Sequence, residues 1–449
     1  MAAACSAALS LAAGAFPARA EGPEIIRDAE IEQLLREYAT PVLTAAGLKS
    51  GAVKIILVGD RSFNAFVANG QKIFVNVGAL MEAKTPNETI GVLAHETGHI
   101  AGGHLARMRA ELDKAQIIAI AGMLLGGAAA ATTLRKNSPV GSDDAGVWGA
   151  ILGPQELVRR SLLSYQRAEE AAADSAAVTY LDKTGQSAKG MLTTFEKFAN
   201  DALFKSSSID PYVQSHPMPA ERISNLEQTA KKSPNFGRLD SPALQARHDL
   251  MRAKLFGFIT QPGEVARRYP ASDNSLAARY ARAISGYKYG NIDNALAQID
   301  GLIAAQPGNA FFQELKGQAL LESGRAAQAV APLRRAVAMA PGGQPIRVML
   351  GHALVETNTP ANTDEAISVL ANATQRDEDS ADAYQFLAMA WNRKGNEAKA
   401  MVAAAQSLFA SGHFVEARTQ ASRAQAKVKE GSPEWLKADD ILNYRPPVF

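Results

Sequence analysis

Three of the seven histidines in this 449-residue chain fall within ten positions, in the stretch GVLAHETGHIAGGH from Gly91 to His104. His95 and His99 are four apart, which on a helix puts both imidazoles on one face, within reach of a single metal ion, with Glu96 beside them. In this HExxH arrangement two neutral imidazoles bind zinc and the glutamate serves as general base on water that the metal activates. The bland alternative, a buried helix with incidental histidines, would set two histidines and a glutamate against a core without partners, at high cost.

Two ligands do not hold a catalytic zinc. Gly102 falls where the longer pattern HExxHxxGxxH wants its glycine, but the third histidine of that pattern would stand at position 105, which is Leu105. His104 therefore points off the ligand face and reads as a helix-surface or core histidine. The third ligand is expected from a carboxylate on a facing helix, and QRAEEAAADSAAVTYL supplies Glu170 and Asp174, four apart on one face. Glu170 would ligate zinc while Asp174 accepts the free ring N–H of a zinc histidine. Glu169 is the rival ligand, without a carboxylate four residues on.

HETGH followed by EAAAD resembles the HExxH…ExxxD pattern of the zinc metallopeptidases that include the CAAX prenyl protease and the HtpX heat-shock protease. SHPMPAER resembles that family's His-Pro…Arg segment, here His216, Pro217 and Arg222, and NAFVANGQKIFVNVGAL resembles its strand pair beside the active site. Together these cover most of residues 40 to 230. The resemblance implies a zincin-like domain with one Zn2+ per chain held by His95, His99 and Glu170. Glu96 would be base and proton shuttle, and Asp174 would orient a ligand. His216 would sit over the zinc as a switchable ligand or an oxyanion stabiliser, with Arg222 assisting. Read without the family, His216 is a loop histidine before a proline.

The elements that must position these residues are legible around them. IIRDAEIEQLLREYATPVLTAAGL has apolar residues at helical spacing. Lys54 to Val58, Phe63 to Ala68 and Lys72 to Val77 read as strands, the last two joined at Asn69-Gly70, a strong hairpin signal. A small antiparallel sheet is expected ahead of the histidine helix. That helix starts with Thr85 as cap, Pro86 in first position and Glu88 closing a capping box, and runs toward Leu112. The uncharged stretch from Ala115 to Leu134 reaches the length of a membrane span. A single crossing there would part His95 and His99 from Glu170, so it reads as a helix or loop that packs on the active site or touches a membrane surface, with Lys136 to Gly146 as its polar tip.

Lys+Arg at 47 against Asp+Glu at 45, with no dense basic block, argues against a nucleic-acid partner. MAAACSAALSLAAGAFPARA reads as a secretory signal peptide cut after Ala20, and its loss removes Cys5, the only cysteine. The expected compartment is the periplasm, peripheral to a membrane.

Beyond about residue 235 the sequence is Ala-rich and helical. Ala283, Gly290, Ala295 and Pro307 recur as Gly317, Gly324, Ala329 and Pro341, each displaced by 34, the tetratricopeptide period. Ala366 to Ala400 repeats the spacing, with Tyr384, Leu387, Ala388, Trp391 and Gly395 in place. The expected fold is mainly α: a signal peptide at 1–20, an α+β zincin-like domain with a small antiparallel sheet at 21–235, and an all-α tetratricopeptide-repeat solenoid at 236–449. The order of peptidase then array, together with the resemblance, implies a quality-control protease. Its substrates would be unfolded or stalled outer-membrane proteins, and its array would dock on a protein partner such as the outer-membrane assembly machinery. The alternative is a chaperone or scaffold whose metallopeptidase site is latent and gated.

Overall fold

The computed structural model describes residues 24–68, 70–111, 166–204, 212, 216–217 and 219–445. The expected signal peptide at 1–20, the apolar stretch 115–134, its tip at 136–146 and Asn69 of the turn lie outside the described residues. Among the described residues no helix is long and apolar enough to cross a membrane.

Helix α1 (Ala29–Ala45) buries Ile31, Leu34, Leu35, Tyr38 and Val42, the stripe that three- and four-residue spacing makes. Asp28 caps it, accepting from the amide of Ile31 at 2.9 Å. A four-stranded sheet follows: β1 (Ile25–Ile26), β2 (Lys54–Val58), β3 (Ala65–Ala68) and β4 (Lys72–Asn76), in spatial order β1-β2-β4-β3. The β3–β4 hairpin is antiparallel, with Ala65 opposite Val75 and Ala68 opposite Lys72.

The antiparallel expectation fails for one pair. β2 runs parallel to β4, Lys54 opposite Lys72 through Val58 opposite Asn76, so the sheet is mixed. The link from Gly59 to Asn64 carries the chain past the place of β4, and the returning hairpin strand fills the gap. β4 is the strand suited to that central position, with Ile73 and Val75 both buried. Strand patterning reveals a hairpin but not which of its strands meets β2.

After α2 (Val77–Glu82), the histidine helix α3 (Pro86–Gly102) begins as its sequence requires. Thr85 accepts from the Glu88 amide at 3.3 Å, and the Glu88 carboxylate returns to the amide of Lys84 at 3.0 Å. Contrary to the expected run to Leu112, α3 stops at Gly102, and Gly103 with φ 66 turns the chain into a second helix, α4, at 104–111. The helix α5, described over 166–183, then α6 (Lys189–Phe204) and α7 (Ala220–Lys231), pack around α3. Contact with α5 is close: a Cβ on Gly98 would lie 2.8 Å from the carbonyl oxygen of Ala173. The glycine inside HETGH thus lets the carboxylate helix reach the histidine helix.

The helix α8 (Pro242–Ile259) serves both halves, its Met251 and Leu255 joining the core of α1 and α3 while Leu250 and Ala253 join the first repeats. Past a short helix at Pro262–Arg268, helix pairs stack as the 34-residue period predicts, from Leu276–Tyr289 with Ile292–Ala305 to Phe414–Gln425 with Pro433–Asn443. The repeated small positions are where paired helices touch. Ala283, Ala295 and Ala329 are fully buried, and a Cβ on Gly317 would stand 2.4 Å from Leu333.

One buried ammonium ties the halves together. Lys254 Nζ lies 2.7 Å from Asp28, 3.4 Å from Glu30 and 3.3 Å from Glu314, and Tyr280 donates to Glu30 at 2.9 Å. Three carboxylates share one ammonium, so burial, which Lys254 opposes and Asp28 and Glu30 reinforce, pushes the Glu314 carboxyl up to about 7 from an ordinary 4.5. Between those values the unfolded chain releases a proton that the folded chain keeps. The contribution of this group to stability is therefore full below about pH 4.5 and is lost as pH rises through about 7. Glu314→Gln should gain stability relative to the parent when denaturant unfolding is repeated from about pH 5 to about pH 8. A difference that stays constant over that range would show that Glu314 keeps no such proton.

Candidate metal centre

His95 and His99 leave α3 toward Glu170 of α5, and their Nε2 atoms are 3.0 Å apart. Glu170 Oε2 lies 3.3 Å from His95 Nε2, and Oε1 lies 3.5 Å from His99 Nε2. His216 closes the group, its Nδ1 3.3 Å from His95 Nε2 and 3.1 Å from each Glu170 oxygen. One ligand atom from each of the four residues lies within 4.8 Å of the others. Nitrogen and oxygen ligands in a tetrahedral zinc shell stand about 3.3 Å apart. The four residues are thus spaced as one small ion needs.

The surroundings fit an ion as well. Glu96 is fully buried and neither of its carboxylate oxygens has a hydrogen-bond partner. The Nε2 of His216, also without a hydrogen-bond partner, stands 3.6 Å from Glu96 Oε1. A buried carboxylate without a donor is costly, and it has a use where a proton is to be received. Burial pushes the Glu96 carboxyl up, against the pull of His216 and His95, which moves it toward the range of a working base.

The charges of the group's members are set by their buried neighbours. Burial disfavours a charged His95, but hydrogen bonds to Asp174 and Glu170 outweigh it and hold the imidazole up at about 9. Burial and the neighbouring His95 push His99 down to about 2. Burial alone would raise Glu170, yet His216 and His95 keep it far below the usual carboxylate range. Asp174 Oδ1 meets His95 Nδ1 at 2.9 Å, leaving Nε2 for the centre.

Arg222 stands behind these ligands. Its Nε and Nη2 grip Asp174 at 2.6 and 2.8 Å, its Nη1 reaches Glu170 at 2.8 Å, and the same nitrogen donates to the carbonyl of Pro217 at 3.0 Å. One guanidinium thus braces both carboxylates and the segment that carries His216. Glu169, the rival ligand, faces away and pairs with His104 and Arg107. His104 is not a member of the four-residue group and is buried, the core alternative of its sequence reading, and it sits against His99, Nδ1 to Nδ1 at 2.8 Å. The sequence signal for that contact is the pair of glycines before it.

Removing the brace should be costly. Arg222→Met leaves two buried carboxylates short of their cation and should lower stability by about 3–5 kcal/mol. Urea unfolding of the metal-free chain measures this, and a loss below about 1 kcal/mol would show that solvent or the histidines can replace the guanidinium.

Comparison with known proteins agrees with this geometry. Residues 26–230 match peptidase family M48, and residues 320–389 match the tetratricopeptide repeat. The chain is 25% identical over 438 residues to the beta-barrel assembly-enhancing protease of Yersinia pestis, covering 94% of this chain and 84% of that protein. With the protein of the same name from Escherichia coli K12 it shares 23% identity over 431 residues, 92% of this chain and 83% of that one. Metalloprotease LoiP of Escherichia coli K12 is 26% identical over 197 residues, 42% of this chain and 69% of that protein. The chain therefore carries a domain over residues 26–230 that matches peptidase family M48, followed by C-terminal tetratricopeptide repeats, and its protease-named relatives support a metallopeptidase.

Proposed function

We propose that this protein is an exported zinc endopeptidase that cleaves unfolded or misassembled proteins in outer-membrane protein quality control. The observation that carries the reading is the grouping of His95, His99, Glu170 and His216, with one ligand atom from each within 4.8 Å of the others, beside a buried Glu96 that has no hydrogen-bond partner. The names of the relatives, which join a protease to β-barrel assembly, support the substrate class. The N-terminal leader pattern supports the periplasm, and the apolar sequence of 115–134 supports peripheral membrane contact.

His95, His99 and Glu170 would hold a zinc ion, which when bound would supply Lewis-acid chemistry toward a scissile carbonyl and water. Glu96 takes the proton of the attacking water and passes it to the departing amine nitrogen. Asp174 keeps the His95 ring in the plane and tautomer that a ligand needs. The strand β3 touches α3 and forms an outer edge of the sheet, so an extended substrate can add to it through main-chain hydrogen bonds with little demand on its sequence. Docking of a protein partner falls to the array. Against its inner face lies a cavity of about 760 Å3, walled by Arg27, Lys254, Glu314, His352 and Phe386, and none of the four metal-site residues lines it.

A latent state is favoured by one further observation. His216 Nδ1 lies 3.3 Å from His95 Nε2 and 3.1 Å from Glu170 Oε1, which supports a role as a fourth ligand at the position that a working zinc peptidase leaves open. On this reading cleavage requires the His216 side chain to leave that position.

Casein degradation by the exported chain, at equal measured zinc content, tests both points. Glu96→Gln should lower the rate by about a hundredfold or more, since it removes the base and leaves the ligands. His216→Ala should raise the rate severalfold if the imidazole is a plug, and lower it if the residue serves the transition state. Cleavage by neither the parent nor His216→Ala would favour the chaperone or scaffold reading.

A further inference from the structure

We propose, resting on the zinc reading above, that His104 is a positioning residue: it fixes the tautomer and ring plane of His99, and Glu169 with Arg107 fixes His104 in turn. The geometry leaves His104 no other task. Its Nδ1 lies 2.8 Å from His99 Nδ1, and its Nε2 lies 2.7 Å from Glu169 Oε2. Both ring nitrogens are thereby engaged away from the metal group. The two rings meet edge to face, centroids 4.8 Å apart and planes at 87°. Arg107 then holds Glu169 through Nε at 3.2 Å and Nη2 at 2.8 Å.

The order of donors follows from the end of the chain of bonds. A carboxylate accepts only, so His104 must present Nε2–H to Glu169. A neutral His104 then has an acceptor at Nδ1, and the bond to His99 exists only if His99 carries its proton on Nδ1. That leaves the His99 Nε2 lone pair facing His95 Nε2 and Glu170, where a metal ligand has to point. His95 obtains the same service directly, from Asp174. The two imidazoles of one motif are therefore oriented by different devices, a carboxylate for one and an imidazole anchored on a carboxylate for the other.

The backbone is shaped for this contact. A Cβ on Gly102 would lie 2.1 Å from His104 Nε2, so only glycine leaves room for the ring. Gly103 takes φ 66, a left-handed turn that ends α3 and brings residue 104 back over His99. Two successive glycines in GGH thus serve a single outcome. Because Glu169 and Glu170 are neighbours on α5, the same helix supplies the outer anchor of one histidine and the direct partner of both.

The test compares His104→Phe, which keeps a ring but no acceptor, with His104→Asn, whose Oδ1 can take the bond from His99. Zinc affinity is measured by competition with a chromophoric chelator, alongside the visible absorption of the cobalt-loaded chain and the unfolding midpoint of the metal-free chain. Phe should weaken zinc binding about 10- to 100-fold with the cobalt spectrum altered, and Asn should stay within about threefold of the parent. Phe binding as tightly as the parent, or Phe and Asn weakened alike, would overturn the role of His104. A parent that takes up no zinc would instead overturn the metal reading on which it rests. If Phe does not fold, Glu169→Ala gives a second route that leaves α3 and its glycine turn intact: weaker zinc binding is expected, and unchanged affinity would sink the proposal.

Discussion

Charges buried in a peptidase core can persist only in company, and one guanidinium provides it here. Arg222 comes from α7, Asp174 and Glu170 from α5 and the His95 imidazole from α3, so one set of close polar contacts fastens three helices at one point. Stripping such groups of water costs several kcal/mol each, and that cost is offset only when all partners are present together. The metal group and the packing of the domain are for this reason one problem with one solution. Phe195 completes it, lying under the guanidinium with its centroid 5.1 Å away and edge-on to the His95 ring.

The same dryness explains why Glu96 and His216 are so near each other without a proper hydrogen bond. Water excluded from the site leaves the Glu96 carboxylate raised and unsatisfied, which suits a base and is unfavourable in a resting protein. His216 packs against the same group, its Nδ1 3.1 Å from Glu170. Since Arg222 also holds the carbonyl of Pro217, the brace on Asp174 and Glu170 and the anchor of the segment that carries His216 are a single side chain.

A second buried cation joins peptidase to array, and it follows the same rule. Asp28 uses one oxygen to cap α1 and the other to meet Lys254 of α8, whose ammonium also faces Glu314 in the repeats. The first helix of the domain and the inner face of the array are thus registered by shared electrostatics as well as by the apolar contact of Ala29 with the array core. The helix α8 belongs to both cores, so the two halves share packing as well as charge.

The sequence by itself determined a good deal. HETGH, EAAAD and the 34-residue period name their own geometry, because helical spacing alone sets which side chains share a face. The caps of α1 and α3 and the β3–β4 hairpin follow equally from local chemistry. Tertiary structure decided what depends on which surfaces meet: that β2 lies parallel to β4, that Arg222 pairs with both Asp174 and Glu170, that Glu169 turns to His104 while Glu170 faces the histidines as its spacing had favoured, and that His216 lies against Glu170. His104 shows the division most clearly. Its spacing correctly removed it from the ligand face, but the left-handed Gly103 returns it to His99 by a route that no helical periodicity contains, since periodicity describes a helix that continues and the contact exists because this one stops.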